Sequence, residues 1–70
     1  MTIGERIKFF RKSRGITQSQ LAKLSGVHPV SVRKYETNKM VPQPEQIRRI
    51  ADALAVSYYA IAGTESLGTL

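Results

Sequence analysis

The stretch from Gln18 to Glu36, QSQLAKLSGVHPVSVRKYE, decides how this chain folds. Its first part has the apolar spacing of a short helix, and Gly26 interrupts that spacing four residues after Ala22. Pro29 suits the first turn of a second helix, because its missing N–H would have no partner there. Two helices joined by a short turn that contains glycine form a helix-turn-helix, and the stretch predicts this motif. Three residues are expected to pack its second helix on the core: Val27, Val32 and Tyr35.

Helical periodicity also covers the segments on either side of this motif. The first helix is expected to end near Arg14, with Gly15 as a left-handed cap. The residues expected to cap or open the other helices are Thr2, Thr17, Pro44 and Ser57. Leu24 is a further candidate for an inward position on the second helix, and Asn38 for a positive φ after the third. No segment alternates like a strand, so the sequence predicts an all-α fold, a compact bundle of five short helices.

The chain has the length of one small domain and a strongly basic composition. Its 70 residues include 11 Lys and Arg against 5 Asp and Glu, and the net charge is +6. A chain this basic favours a polyanionic partner, either nucleic acid or an anionic membrane surface. No apolar run approaches the roughly 18 residues of a membrane span, and no signal region opens the chain. We therefore expect a cytoplasmic, nucleoid-associated protein with a domain over residues 1–62, and a frayed tail or the start of a linker over 63–70.

The order and spacing of several short motifs resemble the phage repressor and Cro family of helix-turn-helix DNA-binding domains. The resemblance covers roughly residues 3–62 and rests on these elements: Arg11, Gln18, "LA" at 21–22, "GV" at 26–27, Glu36 and "IADALAVS" at 50–57. It implies a lambda-repressor-like fold and a sequence-specific transcriptional regulator, most simply a repressor. It further implies a double-stranded DNA operator as partner and a homodimer on that DNA.

A helical wheel separates the buried face of the third helix from its exposed face. At about 100° per residue, the side opposite Val32 and Tyr35 is basic and nearly free of acid. The family positions that face the major groove match Pro29, Val30, Arg33 and Lys34. The resemblance also implies phosphate contacts from Gln18 and Lys39, and His28 and Thr37 are further candidates for phosphate contacts. Arg33 suits a bidentate contact to guanine, and Val30 could pack on a thymine methyl group.

Each of these assignments has a simpler alternative. Arg33 and Lys34 could form an ordinary solvated helix face, and a single exposed valine such as Val30 is common. His28 stands where the family has Ser or Thr, so it could act as a helix cap, as a phosphate contact, or both. Pro29 departs from the family pattern because it has no donor, which leaves direct base readout to fewer residues.

Arg11 and Glu36 are expected to have a structural role. The resemblance implies a partly buried ion pair that joins the first helix to the end of the third. Glu36 would otherwise be a lone carboxylate near DNA phosphates, which is electrostatically unfavourable. A plain surface pair is the alternative.

Three residues suggest a surface for self-association. Phe9 falls off the apolar stripe of the first helix, and Tyr59 and Ala60 stand where the family often has acidic residues. The functional interpretation is a dimer contact around the fifth helix and the turn that precedes it. The alternative is that Phe9 packs against the C-terminal tail and that Tyr59 tolerates partial exposure.

The residue content also bears on other functional classes. An enzyme is not expected, because one histidine, one aspartate and no cysteine leave little for acid–base, nucleophilic or metal chemistry. No cofactor and no metal are expected. A basic amphipathic membrane binder is disfavoured by the several capped helices. A helix-turn-helix module that binds protein or RNA remains the main alternative, since one fold hosts several functions.

Overall fold

Five helices account for nearly all of the regular structure. A computed structural model describes residues 1–63, and this part of the chain contains no strand. The helices are α1 Ile3–Ser13, α2 Gln18–Ser25, α3 Pro29–Glu36, α4 Pro44–Ala53 and α5 Tyr58–Ala62. The predicted all-α fold of five short helices is confirmed.

Polar side chains fix where most of the helices begin. Thr2 and Thr17 each form a capping box. The threonine hydroxyl accepts the backbone N–H three residues on, and the Glu or Gln side chain at that position accepts the backbone N–H of the threonine. Ser57 accepts the N–H of Ala60. The exception is Gln43, whose side chain makes no cap bond before Pro44. Because these signals are local, the helix starts could be predicted from the sequence.

Positive φ angles occur where the sequence predicts them, and at two further positions, Ala55 and Gly63. Gly26 has φ 74° between α2 and α3, and Asn38 has φ 61° after α3. Ala55 has φ 58° at the end of α4, a conformation that alanine rarely adopts and that nothing in its residue type indicates.

One apolar core joins all five helices. α3 packs on α1 and α2, while α4 packs on α2 and α5. The largest fully buried side chains are Ile7, Leu21, Val32, Ile50, Leu54 and Ile61. Val27, Val32 and Tyr35 are buried, so the motif's second helix is held on the core by the predicted residues.

The inward position suggested for Leu24 is wrong. Its side chain is 62% exposed, whereas the neighbouring Ser25 is buried. The Ser25 hydroxyl donates to the carbonyl of Ala22 and accepts the N–H of Val27. At about 100° per residue, the buried Leu21, Ser25 and Ala22 span one arc of about 100° on α2, and Leu24 lies about 60° outside it.

The predicted domain boundary at residue 62 stays a prediction. Gly63 ends α5, and its N–H donates to the carbonyl of Tyr59. The rest of the predicted tail or linker, residues 64–70, lies outside the described residues.

Candidate nucleic-acid interface

The second helix of the motif is buried on one side only. Val32 and Tyr35 enter the core, and the opposite side of α3 is exposed. On that side and in the following loop, the exposed residues are Pro29, Val30, Arg33, Lys34, Thr37 and Lys39. By helical spacing, the four predicted base-contact residues lie within one arc of about 140°. Together with Thr37 and Lys39, these four residues form one surface, which we call the α3 face.

The α3 face is positively charged. Glu36 is the one acidic residue between Thr17 and Lys39, and it is buried. Within residues 1–63, no hydrogen bond or ion pair engages the side chain of Arg33, Lys34 or Lys39. These three cations are therefore available to an external anion.

Arg11 and Glu36 form a buried, two-pronged ion pair beneath this face. Arg11 Nε donates to Glu36 Oε2 at 2.6 Å, and Arg11 Nη2 donates to Glu36 Oε1 at 2.9 Å. The third nitrogen, Nη1, donates to the carbonyl of Ile16 at 2.9 Å. The hydrogen bond that Arg11 donates to Glu36 raises the pKa of the Arg11 guanidinium against the opposing effect of burial. The Arg11 guanidinium thus stays charged, and the ion pair ties α1 to the last residue of α3.

Gln18 is part of the same cluster, which sequence reasoning missed. Its Nε2 donates to Glu36 Oε1 at 3.0 Å, so one carboxylate holds groups from both α1 and α2. Gln18 is the first residue of α2, where the free N–H groups and the helix dipole favour an anion. One N–H of its amide remains for another acceptor.

His28 and Thr37 lie at the two ends of α3. His28 Nδ1 accepts the N–H of Val30 at 3.1 Å, which makes the imidazole an N-cap. A ring nitrogen that accepts carries no proton, so the proton of neutral His28 is on Nε2, where it can be donated outward. The Thr37 hydroxyl donates to the carbonyl of Arg33 at 2.9 Å, so its proton is used within the helix. A phosphate contact from Thr37 requires this hydroxyl to rotate.

The N-terminus of α1 fixes the exit of α3. Thr2 Oγ1 donates to Asn38 Oδ1 at 2.8 Å. A Cβ on Gly4 would lie 1.9 Å from the carbonyl oxygen of Tyr35, so only glycine permits this approach. These contacts position the loop that carries Lys39. A glycine inside an apolar helical stripe is the sequence signal that could have indicated this contact.

Arg14 connects the end of α1 to the end of α4. Its Nε donates to the carbonyl of Leu54 at 2.8 Å, and its Nη2 to that of Ala55 at 3.3 Å. The guanidinium thereby caps the C-terminal carbonyls of α4, a role that no local sequence pattern indicates.

Two further properties bear on the type of site. No helix in residues 1–63 combines the length and the apolar content needed to cross a membrane. The same residues bring together no group of side chains suited to hold a metal ion. The fold and the α3 face define a helix-turn-helix domain whose second helix is exposed and basic.

Comparison with known sequences agrees with this class. The profile of the helix-turn-helix family matches residues 7–61, and the chain belongs to this family. It is 36% identical over 67 residues to the immunity repressor protein of Bacillus phage phi105, covering 96% of this chain and 46% of the relative. It is 38% identical over 63 residues to the cryptic phage CTXphi transcriptional repressor RstR of Vibrio cholerae, covering 90% and 56%. The chain spans about half the length of these curated relatives.

Comparison with solved structures gives the same fold. The P22 c2 repressor, crystallised in complex with a synthetic operator, superposes with a TM-score of 0.83 at 30% identity. The match covers 90% of this chain and 96% of the repressor chain. The chain therefore has the fold of a phage repressor DNA-binding domain.

Proposed function

We propose that this protein is a sequence-specific double-stranded DNA-binding transcriptional regulator, a repressor, that reads the major groove with α3. The observation that carries the proposal is the α3 face, where Arg33, Lys34 and Lys39 are exposed and no acidic group is exposed among them. Two relatives are named repressors, and the P22 c2 repressor was crystallised with a synthetic operator. The similarity of this chain to a repressor crystallised on operator DNA supports double-stranded DNA as its partner.

Base reading is assigned to the exposed side of α3. A major groove about 12 Å wide admits one helix, and residues near its N-terminus reach the base edges. The Arg33 guanidinium matches the O6 and N7 acceptors of guanine, and Val30 can contact a thymine methyl group. Pro29 has no hydrogen-bond donor, so it can contact DNA only by its shape. Lys34 contributes one flexible cation.

Phosphate binding is assigned to the two ends of the motif. Gln18 offers an amide N–H at the start of α2, and His28 offers Nε2–H at the start of α3. Lys39 contributes a cation beyond the end of α3, and Thr37 a hydroxyl beside it. Contacts of this kind fix the register of a protein on DNA without specifying sequence.

The operator-bound form is proposed to be a homodimer that pairs near α5, within the bacterial nucleoid. Tyr59 is 43% exposed, and its ring meets that of Tyr58 edge to face. The Arg48 guanidinium lies 5.8 Å from the centre of the Tyr58 ring. A surface of aromatic rings and an arginine has the composition of a protein interface. Phe9 is exposed on α1, and its predicted contact with the tail lies outside the described residues.

Two measurements test DNA binding by the full chain. Selection from a random duplex pool is expected to enrich one sequence. Affinity for that duplex is expected to fall steeply with salt, with a log–log slope of several units, because each neutralised phosphate contributes about 0.9. A structured RNA of matched length is the control. No enriched duplex, a slope near zero, or stronger binding to the RNA would contradict the proposal.

A further inference from the structure

We infer that Glu36 is a positioning residue for DNA binding, because its buried carboxylate holds the Gln18 amide in the orientation that presents an N–H to a phosphate. The inference rests on the proposed function and adds to it a residue that does not itself touch DNA. The geometry that carries it is the three-way contact of Arg11, Glu36 and Gln18, which brings together α1, α3 and α2.

The carboxylate is itself firmly held. Its side chain is 1% exposed, and both oxygens accept from Arg11. Oε1 accepts a further hydrogen bond from Gln18 Nε2. A buried acceptor fixed at two points has little freedom, so a donor bound to it is also restricted in direction.

The amide has a hydrogen left for DNA. A glutamine Nε2 carries two hydrogens, and Glu36 takes one of them. Gln18 is half-buried, so its amide lies at the border between the core and solvent. Because the side chain is ordered before DNA arrives, binding does not have to restrict it. Immobilising one long side chain on binding otherwise weakens affinity about two- to tenfold.

The negative charge of Glu36 does not oppose this role. Arg11 lies 2.6 Å away and is charged, so the pair is neutral as seen from the DNA. Among residues 1–63, Glu36 is the residue that the Gln18 side chain bonds.

A double substitution removes the acceptor while preserving the fold. Replacing a buried ion pair by apolar residues of similar volume is often neutral or stabilising, whereas removing one partner alone is strongly destabilising. The test protein is therefore Arg11→Met with Glu36→Leu, which leaves the net charge unchanged. It is compared with Gln18→Met and with the triple variant, all on the duplex recovered by selection and at matched salt.

The expected result is non-additive. The double substitution weakens binding about two- to tenfold, and the triple variant binds no more weakly than Gln18→Met alone. The salt slope stays that of the wild type, since no charged phosphate contact is lost. Multiplicative losses in the triple variant would overturn the inference, because a purely structural effect would act equally in both backgrounds.

A second measurement needs no variant. In the nuclear magnetic resonance spectrum of the free protein, the Gln18 side-chain amide is expected to be more ordered than those of Gln43 and Gln46. Equal mobility of the three amides would overturn the inference. If selection recovers no duplex, the proposed function fails by its own test. If the protein binds DNA and the affinity losses in the triple variant are multiplicative, only the role of Glu36 is removed.

Discussion

Two single side chains, Arg33 and Lys39, are expected to contribute to DNA binding in different ways. Arg33 lies in the middle of the exposed side of α3, and Lys39 follows the helix in a loop. Arg33→Ala should weaken binding to the selected duplex by about 1–3 kcal/mol and relax preference at one base pair per half-site. Lys39→Ala should weaken all duplexes nearly alike and lower the salt slope by about one per protomer.

Each variant is the control for the other when four affinities are measured at matched salt. The four combine Arg33→Ala and Lys39→Ala with the selected duplex and a scrambled one. An equal loss on both duplexes for Arg33→Ala would make Arg33 a phosphate contact. Base reading would then fall to Val30, Lys34 or DNA shape.

Substitution of Gly4 shows which matters more for stability at this position, helix propensity or the close approach of α1 to α3. Helix propensity alone predicts that Gly4→Ala stabilises the fold by about 1 kcal/mol. The new Cβ, however, would lie 1.9 Å from the Tyr35 carbonyl oxygen and would push α1 away from α3. We expect a net loss of at least about 1 kcal/mol in the free energy of unfolding, measured by denaturation.

The comparison for Gly4 is Gly15→Ala. Nothing lies within 4 Å of a Cβ at Gly15, and only its φ of 70° opposes the change. Its expected cost is about 1–2 kcal/mol, from conformation alone, with no effect on the approach of α1 to α3. Stabilisation by Gly4→Ala would mean that this approach is loosely determined.

Single residues also show where prediction from sequence stops. Asn38 was predicted at positive φ because its residue type tolerates that conformation, but Ala55 adopts it with no such signal. The bond from Arg14 to the Leu54 carbonyl spans 40 residues and follows from the tertiary arrangement that brings the end of α1 to the end of α4. Contacts of this range are decided by tertiary packing, which local patterns do not contain.

At the scale of helices, the Arg11–Glu36 pair joins α1 to the end of α3. Arg11→Ala and Glu36→Ala should each lower the free energy of unfolding by about 3–5 kcal/mol, because each leaves one buried charge without its partner. The double variant should lose less than the sum, and urea denaturation of all four proteins gives the coupling.

An exposed pair supplies the control for this cycle. Arg49 Nη2 lies 2.9 Å from Glu45 Oε2 on α4, with both side chains largely in solvent. Its coupling should be at most about 0.5 kcal/mol. If the coupling of Arg11 with Glu36 is as small as this, the buried pair is not what connects the two helices.

Helix boundaries were predictable because their signals are local. Which residues of a short helix face the core was harder to predict. The two threonine capping boxes and the prolines at the starts of α3 and α4 could be read directly from the sequence. Leu24 was misplaced because α2 has only eight residues, and a buried polar Ser25 takes the inward position. The Gln18 bond to Glu36 depends on how α2 meets α3, so no spacing rule could reveal it.

For the whole molecule, the remaining question is symmetry. A two-fold dimer predicts an inverted-repeat operator with half-site centres about 10–10.5 base pairs apart, because the two copies of α3 enter successive major grooves on one side of the DNA. In such a dimer the same surface meets itself, so a residue near the axis faces its own copy. Tyr59, exposed on α5, is the residue proposed to do so.

Tyr59→Asp and Tyr59→Lys separate dimer contact from charge. Either substitution places like charges face to face across the axis, so both should reduce cooperative occupancy of the two half-sites and leave the melting temperature of the monomer nearly unchanged. If the new charge acted only through its attraction to or repulsion from DNA, the two variants would differ in direction. Lys would strengthen binding to one half-site and Asp would weaken it. Affinities for the full operator and an isolated half-site decide the matter. Equal wild-type affinity for both would remove the dimer, because occupancy of one half-site would then not promote occupancy of the other.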